Sequence, residues 1–201
     1  MSDSGFILIK GLLSKFNLIM DDWDEPKERV DENGRTIKGR PSIGFGDKNE
    51  FTYAGKTLKA RPWTDAMKGI RNECQRALKE YADTEKKITF LLAGYYPEEK
   101  GIPMHSDAVP SLDDWVVSCS FGGSRVFGWE EYNKDIKTES YTSHTPFILR
   151  KDREVCCRHL LLLEHGDVVM FNGASQMKTR HNVPDLQGIS PRTNLTFRTG
   201  L

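Results

Sequence analysis

Residues 156–172 read CCRHLLLLEHGDVVMFN, two apolar runs separated by Glu164-His165-Gly166-Asp167. Each run has the length of a strand, and the four polar residues between them are too few for a crossover helix. Gly166 supplies the permissive backbone that a tight strand-to-strand turn needs. The same signature recurs on both sides of this stretch, in ITFLLAGYY (88–96), WVVSCSFGG (115–123), RVFGWEEY (125–132), YTSHTPFILR (141–150) and RTNLTFRTG (192–200), each bounded by Gly, Pro, Asp or Asn. So dense a succession of short strands argues against an alternating parallel α/β sheet. It predicts a mainly β, α+β-type fold, a β-sandwich or jelly roll buttressed by one or two N-terminal helices.

Ahead of these strands the period changes. Ala66, Met67, Ile70, Cys74, Leu78 and Tyr81 recur at helical spacing, so the pattern predicts an amphipathic helix over 64–81 with Thr64 as N-cap. Before it, PSIGFGDKNEFTYAGKTLKARPW (41–63) reads as short strands and turns, with Gly55 closing a hairpin. Residues 21–40 are densely charged with an Asn33-Gly34 turn signal, which suggests a solvated loop or hairpin tip. The first apolar stretch is interrupted by Lys10 and Lys15 and has no small-residue cleavage pattern, so it is read as folded structure rather than a leader.

The 201 residues carry 29 Lys+Arg against 29 Asp+Glu, so no global field recommends a polyanionic partner, although a local basic groove fits within a neutral total. Mean hydropathy is −0.56, and no apolar run approaches the roughly 20 residues that span a bilayer. A membrane protein is therefore not expected. Cys74, Cys119, Cys156 and Cys157 form no C-x-x-C pair. They read as reduced thiols of a cytoplasmic or nuclear compartment, each acting as a small buried hydrophobe.

In GIPMHSDAV (101–109), His105 and Asp107 fall on one side of an extended strand, where they could share an ion. Taken alone, H-x-D is weak evidence and reads more readily as a hydrogen-bonded pair at a strand end. His144, His159 and His165 sit in ordinary polar or turn contexts, whereas His181 closes a strand-like segment. Two histidines and one carboxylate make a facial triad for ferrous iron with three open positions. A chelating keto acid such as 2-oxoglutarate would fill two of them, and its distal carboxylate demands a fixed cation. Arg192 and Arg198, six apart on an extended strand, can both face that cavity.

The combination of HSD at 105–107, His181 and RTNLTFR at 192–198 resembles the AlkB family of Fe(II)/2-oxoglutarate dioxygenases. The segments RPSIGFGDKNEFTYAGKTLKARPW, VVSCSFGGSRVF and LLLLEHGDVVMFNGASQMKTRHNVP resemble the family's in the same order, over roughly residues 40–198. The resemblance implies a double-stranded β-helix, the distorted jelly roll of that superfamily, with an N-terminal substrate-recognition flap. On that reading residues 1–201 form a single domain, with about 1–63 as extension and flap and about 64–201 as helix plus catalytic core. His105, Asp107 and His181 would hold Fe(II) and carry catalysis, Arg192 would anchor 2-oxoglutarate with help from Tyr96 and Asn194, and Arg198 would lie near the metal end. With O2 as second co-substrate, the chemistry implied is oxidation of a C–H bond coupled to decarboxylation of 2-oxoglutarate to succinate. Where the carbon sits on nitrogen, the hydroxylated product collapses to aldehyde and free amine.

The resemblance further implies a flipped base of DNA or RNA as substrate, a monomeric enzyme, and alkylation repair as its role. One of Phe51 and Tyr53, two apart on a strand, would stack on the base, with Lys48, Lys56, Lys59, Arg61 and Arg40 as phosphate contacts; core or flap packing is the competing reading of both aromatics, and an ordinary solvated edge that of the charges. Two departures stand out. Gly94 replaces an Asn found in many relatives two residues before the Tyr at 96, and Ala108-Val109-Pro110 replaces a second acidic residue after H-x-D, which makes Val109 a candidate substrate-facing residue. That less polar wall keeps open another modified base such as 5-methylcytosine, a free nucleotide, a protein side chain or a small metabolite. A non-catalytic binding module of the same fold is a third reading.

Overall fold

The computed structural model describes residues 5–24, 28–30, 36–53, 56–107, 109–133, 154–186 and 190–201. Gly166 occupies a turn with φ of +85°, and a Cβ there would come within 2.4 Å of the Ser14 backbone nitrogen. Both the left-handed conformation and the close approach of a second chain segment require glycine. The strands it separates, β11 (Val155–Leu163) and β12 (Val168–Asn172), do not pair with each other. The turn carries the chain from one sheet to the other, the move from which a jelly roll is built.

The larger sheet has six strands in the order β1 (Ile7–Ile9), β12, β9 (Trp115–Gly122), β14 (Arg192–Thr199), β7 (Ile88–Tyr96) and β4 (Ser42–Gly46). The smaller has four: β11, β10 (Arg125–Tyr132), β13 (Thr179–Val183) and β8 (Ile102–His105). Every pairing in both sheets is antiparallel. The segment before Thr64 supplies both edge strands of the larger sheet, β1 and β4, and two hairpins, β2 (Glu28–Val30) with β3 (Thr36–Lys38) and β5 (Glu50–Tyr53) with β6 (Lys56–Lys59). The expected Asn33-Gly34 and Gly55 turns, and the strand expected at 141–150, lie outside the described residues.

Helix α1 (Asp65–Ala82) begins as the sequence predicts, with Thr64 Oγ1 accepting from the Met67 N–H at 3.2 Å. Met67, Ile70, Cys74, Ala77 and Leu78 bury its inner face against the larger sheet. Ala66 and Tyr81, the ends of the predicted stripe, are exposed. The second helix is not N-terminal: α2 (Gly173–Lys178) is a short insertion between β12 and β13, capped by the Asn172 side chain.

Period two then separates the two faces of β14. Leu195 and Phe197 join the cluster under α1, whereas Arg192, Asn194, Thr196 and Arg198 turn into the space between the sheets. A second apolar cluster, including Phe127, Val169, Phe171 and Val183, fills the rest of that space. Each fully buried Phe, Val or Leu contributes about 1.5–3 kcal/mol, and the apolar wall excludes water around the few polar groups it encloses.

Candidate functional site

The β13–β8 register places His181 opposite His105, with ring centroids 4.4 Å apart. Asp107 lies beyond the end of β8, so strand alternation does not aim its carboxylate as the sequence suggested. Its backbone N–H instead donates to Gln176 Oε1 of α2 at 2.6 Å, and Arg198 Nη2 donates to its Oδ1 at 2.7 Å. The other oxygen, Oδ2, is 3.6 Å from His181 Nε2. One donor atom from each of His105, Asp107 and His181 lies within 4.8 Å of the others. His105 Nδ1 is 2.8 Å from the Pro103 carbonyl; as N–H donor there, it leaves Nε2 with the lone pair that binds a cation.

The electrostatics suit a cation. Burial lowers His105, and lowers His181 to about 3, so both imidazoles are neutral near pH 7. Burial acts to raise the Asp107 carboxyl, but Arg198, His181 and His105 together outweigh it and hold the group well below the usual range. Two neutral nitrogens and one carboxylate thus stand ready without a proton to remove, a donor set that could hold a ferrous ion.

The triad borders a cavity of about 210 Å³ between the sheets. At its inner end Arg192 is 2 % exposed; its Nη2 donates to Ser120 Oγ at 2.9 Å and Asn194 Oδ1 at 2.5 Å. Among the described residues its Nε and Nη1 form no well-directed hydrogen bond, and burial, against the opposing pull of Tyr96, lowers its pKa to about 10. A buried cation with donors to spare is costly unless an anion completes it. Asn194 spends both ends of its amide inside the protein, accepting from Ser118 and Arg192 and donating to Thr196 at 2.7 Å. It therefore orients the arginine.

Arg40, expected among the phosphate contacts, lines the cavity beside Tyr96. Its guanidinium carbon lies 4.2 Å from the Tyr96 ring centroid, and that of Arg192 lies 5.0 Å from the same centroid. A Cβ on Gly94 would meet Arg40 Nε at 3.7 Å, an ordinary van der Waals contact, so the guanidinium packs directly over the glycine. Two cations on one tyrosine repel each other and together attract a dianion.

The other substrate-facing expectations are redistributed. Phe51 is 4 % exposed, with its ring 4.3 Å from that of Phe90; in this structure it packs in the core. Phe51→Ala is expected to lower unfolding stability by about 3 kcal/mol in urea titration; a change under 1 kcal/mol would argue for an exposed role. The Tyr53 and Lys56 side chains lie outside the described set. Val109 is buried within the second apolar cluster and does not line the cavity. Arg61 is tied to Asp22 and Asp24, while Lys48 and Lys59 are exposed. Cys74 and Cys119 are buried as expected, whereas Cys156 and Cys157 are exposed. No helix among the described residues is long and apolar enough to cross a membrane.

The family described as the 2OG-Fe(II) oxygenase superfamily matches residues 27–198. Alpha-ketoglutarate-dependent dioxygenase alkB homolog 3 of Bos taurus is 30% identical over 202 residues, covering 97% of this chain and 64% of its own. Alpha-ketoglutarate-dependent dioxygenase AlkB of Escherichia coli K12 is 28% identical over 146 residues, covering 69% and 57%. The chain spans about half the length of the human and mouse alkB homolog 3 proteins that it also matches. Among solved structures, that of OsALKBH1 superposes with a TM-score of 0.58 at 18% identity over 98% of this chain and 97% of its own, a likeness of fold.

Proposed function

The chain belongs to the 2OG-Fe(II) oxygenase superfamily as an AlkB-like member, and from that premise we propose that it is a dioxygenase that removes alkyl groups oxidatively from nucleobases. The observation that carries this reading is the pairing, across one small cavity, of the His105–Asp107–His181 donor set with the incompletely bonded, buried Arg192. A metal site and a carboxylate anchor in one enclosure fit an ion and a dicarboxylic keto acid bound side by side.

In this assignment His105, Asp107 and His181 hold Fe(II), which when bound supplies the redox capacity to activate O2 and the Lewis acidity to chelate the keto acid. The remaining work falls to the chain. Arg198 holds the Asp107 carboxylate in one orientation and keeps it ionised. Arg192, steadied by Asn194 and Ser120, receives the distal carboxylate, with Tyr96 beside it. Phe127, Phe171 and Val183 exclude water from the reacting end. Arg40 adds a second cation for the same carboxylate. Arg40→Ala is expected to weaken 2-oxoglutarate binding about fivefold, roughly 1 kcal/mol, by isothermal titration. Unchanged affinity would remove Arg40 from this role.

For the target, two related proteins are named alpha-ketoglutarate-dependent dioxygenases of the AlkB type, which supports a nucleic acid with a flipped base. Asp107 is the one acidic residue among the described residues lining the cavity; Asp113 and Asp114 are bound to Lys86. A wall without a second carboxylate favours a related reading, the same oxidation of a less polar or uncharged target. Oligonucleotides with a single 1-methyladenine, 3-methylcytosine or 5-methylcytosine, incubated with Fe(II), ascorbate and 2-oxoglutarate, separate the two by mass spectrometry. Loss of a methylene from the N-methylated bases is the expected result. Oxygen gain on 5-methylcytosine alone would favour the second reading, and no change on any oligonucleotide would reject nucleobase demethylation.

A further inference from the structure

At the open edge of the smaller sheet, β10 and β11 bring a second set of metal-binding side chains together. Their register pairs Glu131 with Cys157 and Trp129 with His159. Strand alternation puts Cys157 and His159 on one face, with Glu131 directly opposite the cysteine. One donor atom from each of Glu131, Cys157 and His159 lies within 4.8 Å of the others.

Three features distinguish this set from a chance polar patch. His159 Nε2 faces Glu131 Oε1 at 2.9 Å, and among the described residues the shielded nitrogen makes no hydrogen bond; the two ligand atoms converge at a separation one ion can span. The imidazole is held by stacking on Trp129, with centroids 4.6 Å apart and planes 14° apart. Neighbouring Glu130, on the opposite face, is neutralised by Arg158 and Arg180, whereas Glu131 has no lysine or arginine partner among the described ion pairs. Glutamate and thiolate together match the charge of a divalent ion, and a neutral imidazole completes a three-ligand set with mixed S, N and O donors.

We propose that Glu131, Cys157 and His159 form a second cation site, suited to Zn²⁺ or another borderline-soft divalent ion, with solvent in the fourth position. Cys157 and Glu131 are the last directly paired residues before the register shift in β10, so the ion ties the edge strand β11 to β10 there. His159, Trp129 and His181 occupy one register row across β11, β10 and β13. The site lies two strand spacings, roughly 10 Å, from the iron-binding triad, and unlike that triad it contains sulfur.

Sulfur makes the test specific. Cobalt(II) titrated into the full chain should produce near-ultraviolet thiolate-to-metal absorption, which His105, Asp107 and His181 cannot generate. Cys157→Ser should abolish the band, Cys156→Ser and Asp107→Ala should leave it, and Glu131→Gln or His159→Asn should weaken cobalt affinity about tenfold or more. The substituted Cys157 side chain is exposed, and circular dichroism of the variant gives a separate readout of folding. Absence of the band in the unmodified chain, or its survival in Cys157→Ser, would overturn the proposal, whatever the outcome at the iron site.

Discussion

Asp107→Ala is expected to reduce iron-dependent release of succinate from 2-oxoglutarate to the level seen without protein. Two consequences of the substitution act together. It removes the only anionic donor of the triad, leaving two neutral imidazoles to hold a divalent ion. It also removes the carboxylate that Arg198, 2 % exposed, bonds through Nη2 at 2.7 Å. Removing one partner of a buried ion pair costs about 3–5 kcal/mol, so the variant should also unfold at lower urea. Asp107→Asn keeps the volume and one acceptor and separates the two effects: it should recover part of the stability while succinate release stays at background. Full release from either folded variant would remove Asp107 from the metal site.

Arg192→Ala is expected to raise the 2-oxoglutarate concentration needed for half-maximal succinate release at least tenfold, about 1.4 kcal/mol or more for a charge-assisted pair. Arg192→Lys should recover little, because an ammonium cannot present the planar pair of donors. The Ser120 and Asn194 acceptors left behind are buried, so direct binding of 2-oxoglutarate should be measured beside urea unfolding. Equal affinity in a folded Arg192→Ala chain would contradict its assignment as the carboxylate anchor.

These predictions rest on features of unequal legibility. Period two on β14 was enough to put Arg192 and Arg198 on one face, because the strand is central and each face meets a different environment. Helical spacing and the Thr64 cap located α1 within a residue at each end. The sheet switch at Gly166 was hidden, since a turn sequence specifies local conformation and not which neighbours the strands find beyond it. Asp107 was linked to His105 by a two-residue spacing, but the carboxylate is placed by Gln176 and Arg198, distant in sequence.

Aromatics and charges near the N-terminus were the least legible. Phe51 pairs with Phe90 and Arg61 with Asp22 and Asp24; in a list of residue types these look the same as a base-stacking ring and a phosphate contact. The place of Arg40 became visible only once β4 lay beside β7, with Ser42 opposite Gly94. Cys157 reads as a small hydrophobe until the β10–β11 register sets it beside Glu131 and His159.

The most direct test of the central claim follows succinate and formaldehyde together in the unmodified protein, supplied with Fe(II), ascorbate, 2-oxoglutarate and an oligonucleotide bearing 1-methyladenine or 3-methylcytosine. The account predicts that both products form, that formaldehyde requires the methylated base, and that chelation of iron stops both. No succinate above the chelated control would contradict the assignment of His105, Asp107, His181 and Arg192 as an iron and 2-oxoglutarate centre.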